Sequence, residues 1–132
     1  MQLNEEELKN IVSIVGVLHE LSNKARREGL LALDDDISAV TEKIDGKAGE
    51  FAKILLKFIV DGIDTETVDE IAKNLLASTE LSDFEKVLFP IVVTGCHSIQ
   101  VGDNPRILVK KCASQTGISG FYEIVKKLDV DD

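Results

Sequence analysis

Apolar residues recur at steps of three and four along almost the whole sequence, and no segment alternates apolar with polar residues over a sustained run. Such steps place side chains on one stripe of an α-helix, whereas a period of two would indicate a strand. The first stripe consists of Leu8, Ile11, Val12, Val15, Leu18 and Leu21. We therefore predict an all-α fold, a compact bundle of about five to seven helices with no sheet.

The first helix is predicted to be long. Its pattern begins after Asn4 and continues through Arg27, and Gly29 is the only weak helix former between Arg27 and Leu33. A helix of roughly 30 residues would be about 45 Å long. Asp34 then opens a run of three aspartates that interrupts the pattern.

Capping and turn residues divide the rest of the sequence into further helices. Ser82 and Glu85 form a capping-box pattern before a segment that is apolar on nearly all sides, which we expect at the centre of the bundle. Pro90 lies inside that segment and should either kink the helix or begin it. The predicted segments are Ile37 to Ile44, Ala48 to Ile63, a helix capped by Asp64 or Thr65, Asp83 to Val101, a helix opened by Asn104 and Pro105, a turn at Gln115 to Gly120, Phe121 to Leu128, and a frayed end at Val130 to Asp132.

Size and composition predict one domain, residues 1–132. The chain has 132 residues and 44% of them are apolar, enough to close one core. The N-terminus lacks a signal-peptide pattern, and the apolar stretch Val87 to Val101 falls short of the roughly 20 residues that a bilayer crossing needs. We expect a soluble, cytoplasmic chain with reduced thiols and no membrane insertion.

Charge argues against nucleic acid as a partner. The net charge of −9 opposes attraction to phosphate backbones. The C-terminal quarter has a local positive surplus, but its aromatic residues are limited to Phe121 and Tyr122, so a solvated face is the favoured interpretation. Its basic residues are Arg106, Lys110, Lys111, Lys126 and Lys127.

The sequence contains no catalytic or metal-binding constellation. Cys96 and His97 are adjacent, but neighbouring residues on a helix point about 100° apart and could not share a proton. Neither the cysteines nor the histidines have the spacing of a zinc site. The aspartates at 34–36 lack the pattern of a calcium-binding loop. No glycine-rich motif of the kind that binds the phosphates of a nucleotide occurs. We predict no enzyme, no cofactor and no metal. A pocket would have to use His19, Thr94, His97 and Ser98.

One segment presents opposite charges close together. Arg26 and Asp34 are eight positions apart, which on a continuous helix places them within about 80° of each other. The residues alone leave two interpretations open, an ordinary solvated helix end and an interaction surface.

Three blocks of the sequence resemble the cytoplasmic part of the flagellar stator protein MotA. The first is Ala25 to Ile37 (ARREGLLALDDDI), the second is Phe58 to Glu66 (FIVDGIDTE), and the third is Gly102 to Ser114 (GDNPRILVKKCAS). They occur in the family's order. In that family the cytoplasmic helices bear on the rotor protein FliG, and charges of the first block contact charges of the rotor.

The resemblance implies a contact role for Arg26 and for Asp34, where the family usually has the longer Glu. The family's four membrane helices and proton path have no counterpart in this sequence, since Leu75 to Pro90 stands where a membrane pair would separate the second and third blocks. The implied protein is thus a soluble relative that lacks the transmembrane helices. Proton conduction is not expected of it, because a path through lipid needs spanning elements.

The resulting hypothesis is a non-enzymatic, MotA-like accessory or regulatory protein of the flagellar motor, cytoplasmic or peripheral at the motor. Its partner would be a FliG-like rotor protein or stator subunits. Whether the chain also forms a homodimer is left open by the sequence. The alternatives are a generic helical homo-oligomeric scaffold or adaptor unrelated to motility and, ranked below it, a small-molecule-binding protein or enzyme. The predicted protein-binding residues are Arg26, Arg27, Asp34, Asp35, Arg106 and Lys110.

Overall fold

The computed structural model describes residues 2–130, and these residues form seven α-helices. No strand occurs among these residues, so the predicted all-α class is confirmed. The helices are α1 Glu5–Glu28, α2 Asp34–Lys43, α3 Gly46–Val60, α4 Thr65–Ser78, α5 Asp83–Val101, α6 Pro105–Ala113 and α7 Gly117–Lys127. Short 3-10 helices at Leu30–Leu33 and Ser114–Thr116 join α1 to α2 and α6 to α7.

Helix α1 is shorter than the sequence predicts. It has 24 residues and ends at Gly29, whose φ of 90° and ψ of 162° lie outside the helical region. The prediction of one continuous helix to Leu33 is therefore wrong, because glycine alone adopts such a conformation readily. Beyond the break Leu33 is buried, and Asp34 begins α2 instead of interrupting a helix. The aspartates in the first turn of α2 suit the positive end of the helix dipole.

Capping residues act as the sequence predicts. The Ser82 hydroxyl accepts from the Glu85 N–H at 3.2 Å, and the Glu85 carboxylate accepts from the Ser82 N–H at 2.9 Å. Asp64, rather than Thr65, caps α4, and its capping hydrogen bonds lower the pKa of the carboxyl. Asn104 caps α6. These side chains satisfy amides that have no partner within their helices.

Helix α5 forms the centre of the bundle, as predicted. It contacts α1, α3, α4 and α6, and its buried residues lie on several sides. The helix runs through Pro90 without ending there. Proline removes one ladder hydrogen bond, which packing on several sides can compensate. The buried residues are Leu88, Phe89, Ile91, Val92, Gly95, Cys96, Ser98 and Ile99.

The C-terminal part differs from the prediction. Helix α7 begins at Gly117, so most of the predicted turn at Gln115 to Gly120 is helical. Val130, expected in the frayed end, is buried, and its N–H donates to the Val125 carbonyl at 3.2 Å. The remaining residues of that prediction, 131 and 132, lie outside the described residues.

Candidate functional site

The first and third MotA-like blocks meet at one end of the bundle. An Arg26 guanidinium N–H donates to the Gly102 carbonyl at 2.8 Å, across 76 positions of sequence. The two blocks share a depression of about 240 Å³. The second block is tied to the same end, because the Gln100 side chain donates to the Ile63 carbonyl at 2.7 Å. Segments that are far apart in sequence therefore form one surface.

The turn between α5 and α6 is held by a buried serine. Ser98 is 0% exposed, and its hydroxyl donates to the Asp103 carboxylate at 2.7 Å. Lys111 donates to the same carboxylate at 2.6 Å. The hydrogen bonds from Lys111 and Ser98 lower the pKa of Asp103. Because Asp103 follows Gly102 directly, this network fixes the carbonyl that Arg26 contacts.

The predicted residues of the first block are all exposed, but they are arranged differently from the sequence prediction. Arg26 and Arg27 end α1, whereas Asp34 and Asp35 begin α2, and the break at Gly29 separates the pairs. The 80° relation predicted for a continuous helix therefore does not apply. The structure instead presents a basic helix end followed by an acidic helix start.

The predicted residues of the third block lie on α6. Arg106 is exposed and Lys110 is half-buried, and their four-residue spacing places them on one side of the helix. Helix α6 begins directly after the turn that Arg26 contacts. We call the six predicted residues, on α1, α2 and α6, the charged face.

An ion pair joining α1 to α2 was missed by the sequence reasoning. Lys24 lies 2.8 Å from the Asp36 carboxylate, and this hydrogen bond raises the pKa of the lysine. The pair lines a groove of about 350 Å³ together with Arg27 and Lys43. Lys24 and Asp36 are twelve positions apart and on different helices, so no local pattern connects them.

The potential nucleophiles are poorly placed for chemistry. Cys96 and Cys112 are buried, as the interpretation of Cys96 as a core residue requires. Burial raises the pKa of both thiols, that of Cys112 to about 12, and so suppresses the reactive thiolate. His97 lies 3.5 Å from the Asp69 carboxylate. Ser98 is buried in the network described above, whereas His19 and Thr94 are half-buried.

Residues 2–130 contain no group of three or more histidine, cysteine or acidic side chains that could hold a metal ion. None of the helices described for this chain combines the length and apolar character that a bilayer crossing requires.

Comparison with known proteins gives one consistent likeness. Part of this chain is similar to Motility protein A. The proteins of that name are from Borreliella burgdorferi, with 42% identity over 57 residues, Aquifex aeolicus, with 34% over 92 residues, and Treponema phagedenis, with 37% over 67 residues. These alignments support the MotA-like relationship inferred from the three blocks.

The likeness is partial on both sides. It covers 43%, 64% and 51% of this chain, and 19%, 33% and 23% of the respective Motility protein A sequences. The chain thus spans at most a third of these relatives. No protein-family model matches the chain. No solved structure matches it either.

Proposed function

We propose that this chain is a non-enzymatic interaction module of the flagellar motor, a soluble accessory or regulatory protein at the cytoplasmic side that docks on the rotor or the stator. The charged face forms the docking surface. The observation that carries the proposal is the convergence of the MotA-like blocks, joined by the hydrogen bond from Arg26 to Gly102. A FliG-like rotor protein is the first expected partner, and stator subunits are the second.

The electrostatics of the charged face suit a reversible contact. Arg26 and Arg27 present positive charge, and Asp34 and Asp35 present negative charge close by in sequence. Complementary charges at an interface steer the encounter and reject wrong partners more than they add affinity. A regulatory contact made and broken at the motor needs these properties. The turn fixed by Asp103 keeps Arg26 in place, which lowers the entropy cost of docking.

Binding to purified rotor and stator proteins tests the proposal. The variant Arg26→Glu/Asp34→Lys reverses both signs and leaves the net charge unchanged. Its affinity should fall by at least about tenfold, or about 1.4 kcal/mol. The matched control is Glu70→Lys/Lys86→Glu, since these residues are also exposed and belong to other helices, α4 and α5. The control should bind within about twofold of the unaltered protein.

A second variant separates docking from folding. Arg26→Glu also removes the hydrogen bond to Gly102, whereas Arg27→Glu/Asp35→Lys reverses two charges and leaves that bond intact. This variant should remain folded and bind more weakly, with a loss of only about 1–2 kcal/mol of stability, because both reversed charges are unfavourable at their helix ends. The proposal is rejected if neither the rotor nor the stator binds, or if face and control reversals have the same effect.

A further inference from the structure

One exposed leucine lies among the residues of the charged face. Leu31 is 77% exposed, and among the described residues only Ile118, at 81%, is a more exposed large hydrophobic side chain. It lies between Arg27, near the end of α1, and Asp34, the first residue of α2. An isolated exposed apolar side chain is common, so its surroundings decide whether it has a role.

The backbone holds Leu31 in a fixed position. The Gly29 N–H donates to the Ala25 carbonyl at 2.8 Å, and the Ala32 N–H donates to the Gly29 carbonyl at 3.2 Å. Two residues further on, Leu33 is 1% exposed and attaches the 3-10 helix to the core. The exposed side chain thus belongs to a segment that is already ordered, which lowers the entropy cost of burying it against a partner.

Unpaired negative charge lies on the same side as Leu31. The 3-10 helix continues directly into α2, so Asp34 and Asp35, three and four residues later, lie along one side with the leucine. Both carboxylates are exposed and form no ion pair with another described residue, whereas Asp36 pairs with Lys24. We call Leu31, Asp34 and Asp35 the anchor strip.

The basic side chains at the end of α1 already have contacts within the chain. Arg26 donates to the Gly102 carbonyl at 2.8 Å, and Arg27 lies 3.8 Å from the Glu28 carboxylate. The unpaired charge nearest to Leu31 in sequence is therefore negative. A partner that covers the leucine gains most if it presents positive charge beside the apolar contact.

Charges alone give a docking surface little affinity. An exposed ion pair changes a binding constant by at most about fivefold, because each charge gives up favourable interactions with water. Complete burial of a leucine side chain is worth about tenfold to a hundredfold. Interfaces accordingly have apolar side chains at the centre and charged side chains at the rim.

We propose that Leu31 is the apolar anchor of the charged face. The protein partner presents a hollow lined by apolar side chains, which receives Leu31, and basic side chains at its edge, which face Asp34 and Asp35. The inference rests on the proposed function, because it names the residue of the same surface that supplies affinity and the chemistry of the partner that fits it. An anionic lipid surface does not match, since the two aspartates would be repelled by its headgroups.

Affinity for the purified rotor and stator proteins tests the inference. Leu31→Ser should bind at least about tenfold more weakly than the unaltered chain. Ile118→Ser is the matched control, since Ile118 is similarly exposed but lies on α7, which contributes no residue to the charged face. The control should bind within about twofold of the unaltered chain. Leu31→Met keeps the apolar volume and should bind within about threefold.

Salt separates the anchor from the charges. Raising the ionic strength from about 0.1 M to about 1 M shortens the Debye length from about 10 Å to about 3 Å. The loss of affinity caused by Arg26→Glu/Asp34→Lys should then shrink. The loss caused by Leu31→Ser should keep its size, because an apolar contact is not screened, and a loss that disappears with the charges would contradict the inference.

A cross-linking experiment locates the contact. Cys96 and Cys112 are buried, so Leu31→Cys introduces a single exposed thiol for a photoreactive label. The label should cross-link to an apolar segment of the bound partner, and the same label on Ile118→Cys should cross-link weakly. Equal yields from both positions would contradict the inference. Both serine variants should unfold at the same urea concentration as the unaltered chain, since each removes an exposed side chain.

Failure of the inference differs from failure of the proposed function. If Arg26→Glu/Asp34→Lys weakens binding but Leu31→Ser binds like the unaltered chain, the inference is wrong and the proposed function stands. If neither the rotor nor the stator protein binds the unaltered chain, both are wrong. A dimer that Leu31→Ser dissociates, or binding to phospholipid vesicles that Leu31→Ser abolishes, would assign the leucine to another occupant and overturn the inference.

Discussion

Replacement of Gly49 by alanine should destabilise the protein, although the same change usually stabilises a helix. Gly49 lies within α3, where an added Cβ would overlap the Ile44 carbonyl oxygen and approach the carbonyl carbon to 2.9 Å. The obstacle is backbone between α2 and α3, which cannot move aside as a flexible side chain can. This close approach fixes α2, and with it the acidic start of that helix, against α3.

The magnitude follows from two opposing effects. Alanine in place of glycine in a helix gains about 1 kcal/mol of intrinsic helix stability. Overpacking typically costs about 1–3 kcal/mol, and overlap with backbone falls at the upper end of that range. We therefore expect Gly49→Ala to lower the free energy of unfolding by about 2 kcal/mol. Urea unfolding followed by circular dichroism measures this change.

Gly16→Ala is the matched control. Gly16 also lies within a helix, α1, but an added Cβ would meet only the Leu128 side chain at an ordinary 3.5 Å. This variant should raise the free energy of unfolding by about 0.5–1 kcal/mol. The two substitutions should thus shift stability in opposite directions. Unchanged or increased stability of Gly49→Ala would refute the close approach of α2 and α3.

Two other predictions concern titratable groups. The pKa of Asp103 lies below its ordinary 3.8, so its contribution to stability is complete above that pH and is lost as the pH falls through the lowered value. Asp103→Asn should be less stable at neutral pH, and urea unfolding should show the difference shrinking below about pH 4. Cys96 and Cys112 should resist alkylation in the folded protein and react fully in denaturant, since burial raises the pKa of both thiols. Rapid labelling of the native protein would contradict their buried positions.

Local features of the sequence predicted most of the secondary structure. The capping box at Ser82 and the cap at Asn104 mark helix starts that the structure confirms. The apolar surface of the fifth helix predicted its central position. These predictions succeeded because caps and apolar stripes depend on residues within one or two turns of each other.

Breaks in the helical pattern were harder to predict. Gly29 ends α1, although a single glycine costs a helix only about 1 kcal/mol and many helices tolerate one. Here burial of Leu33 beyond the break favours a change of direction. Gly117 was assigned to a turn but begins α7. At Gly29 a weak local preference was decided by the packing of Leu33 into the core.

In the candidate site, too, local sequence features predicted some properties and the packing of the helices decided others. The sequence by itself determined the exposed charges of its first block and the MotA-like motifs around Arg26 and Gly102. Only the tertiary structure decided that these motifs touch, that Lys24 pairs with Asp36, and that Leu31 faces solvent. Periodicity and capping act over a few residues, whereas contacts across 76 positions exist only after the helices have packed.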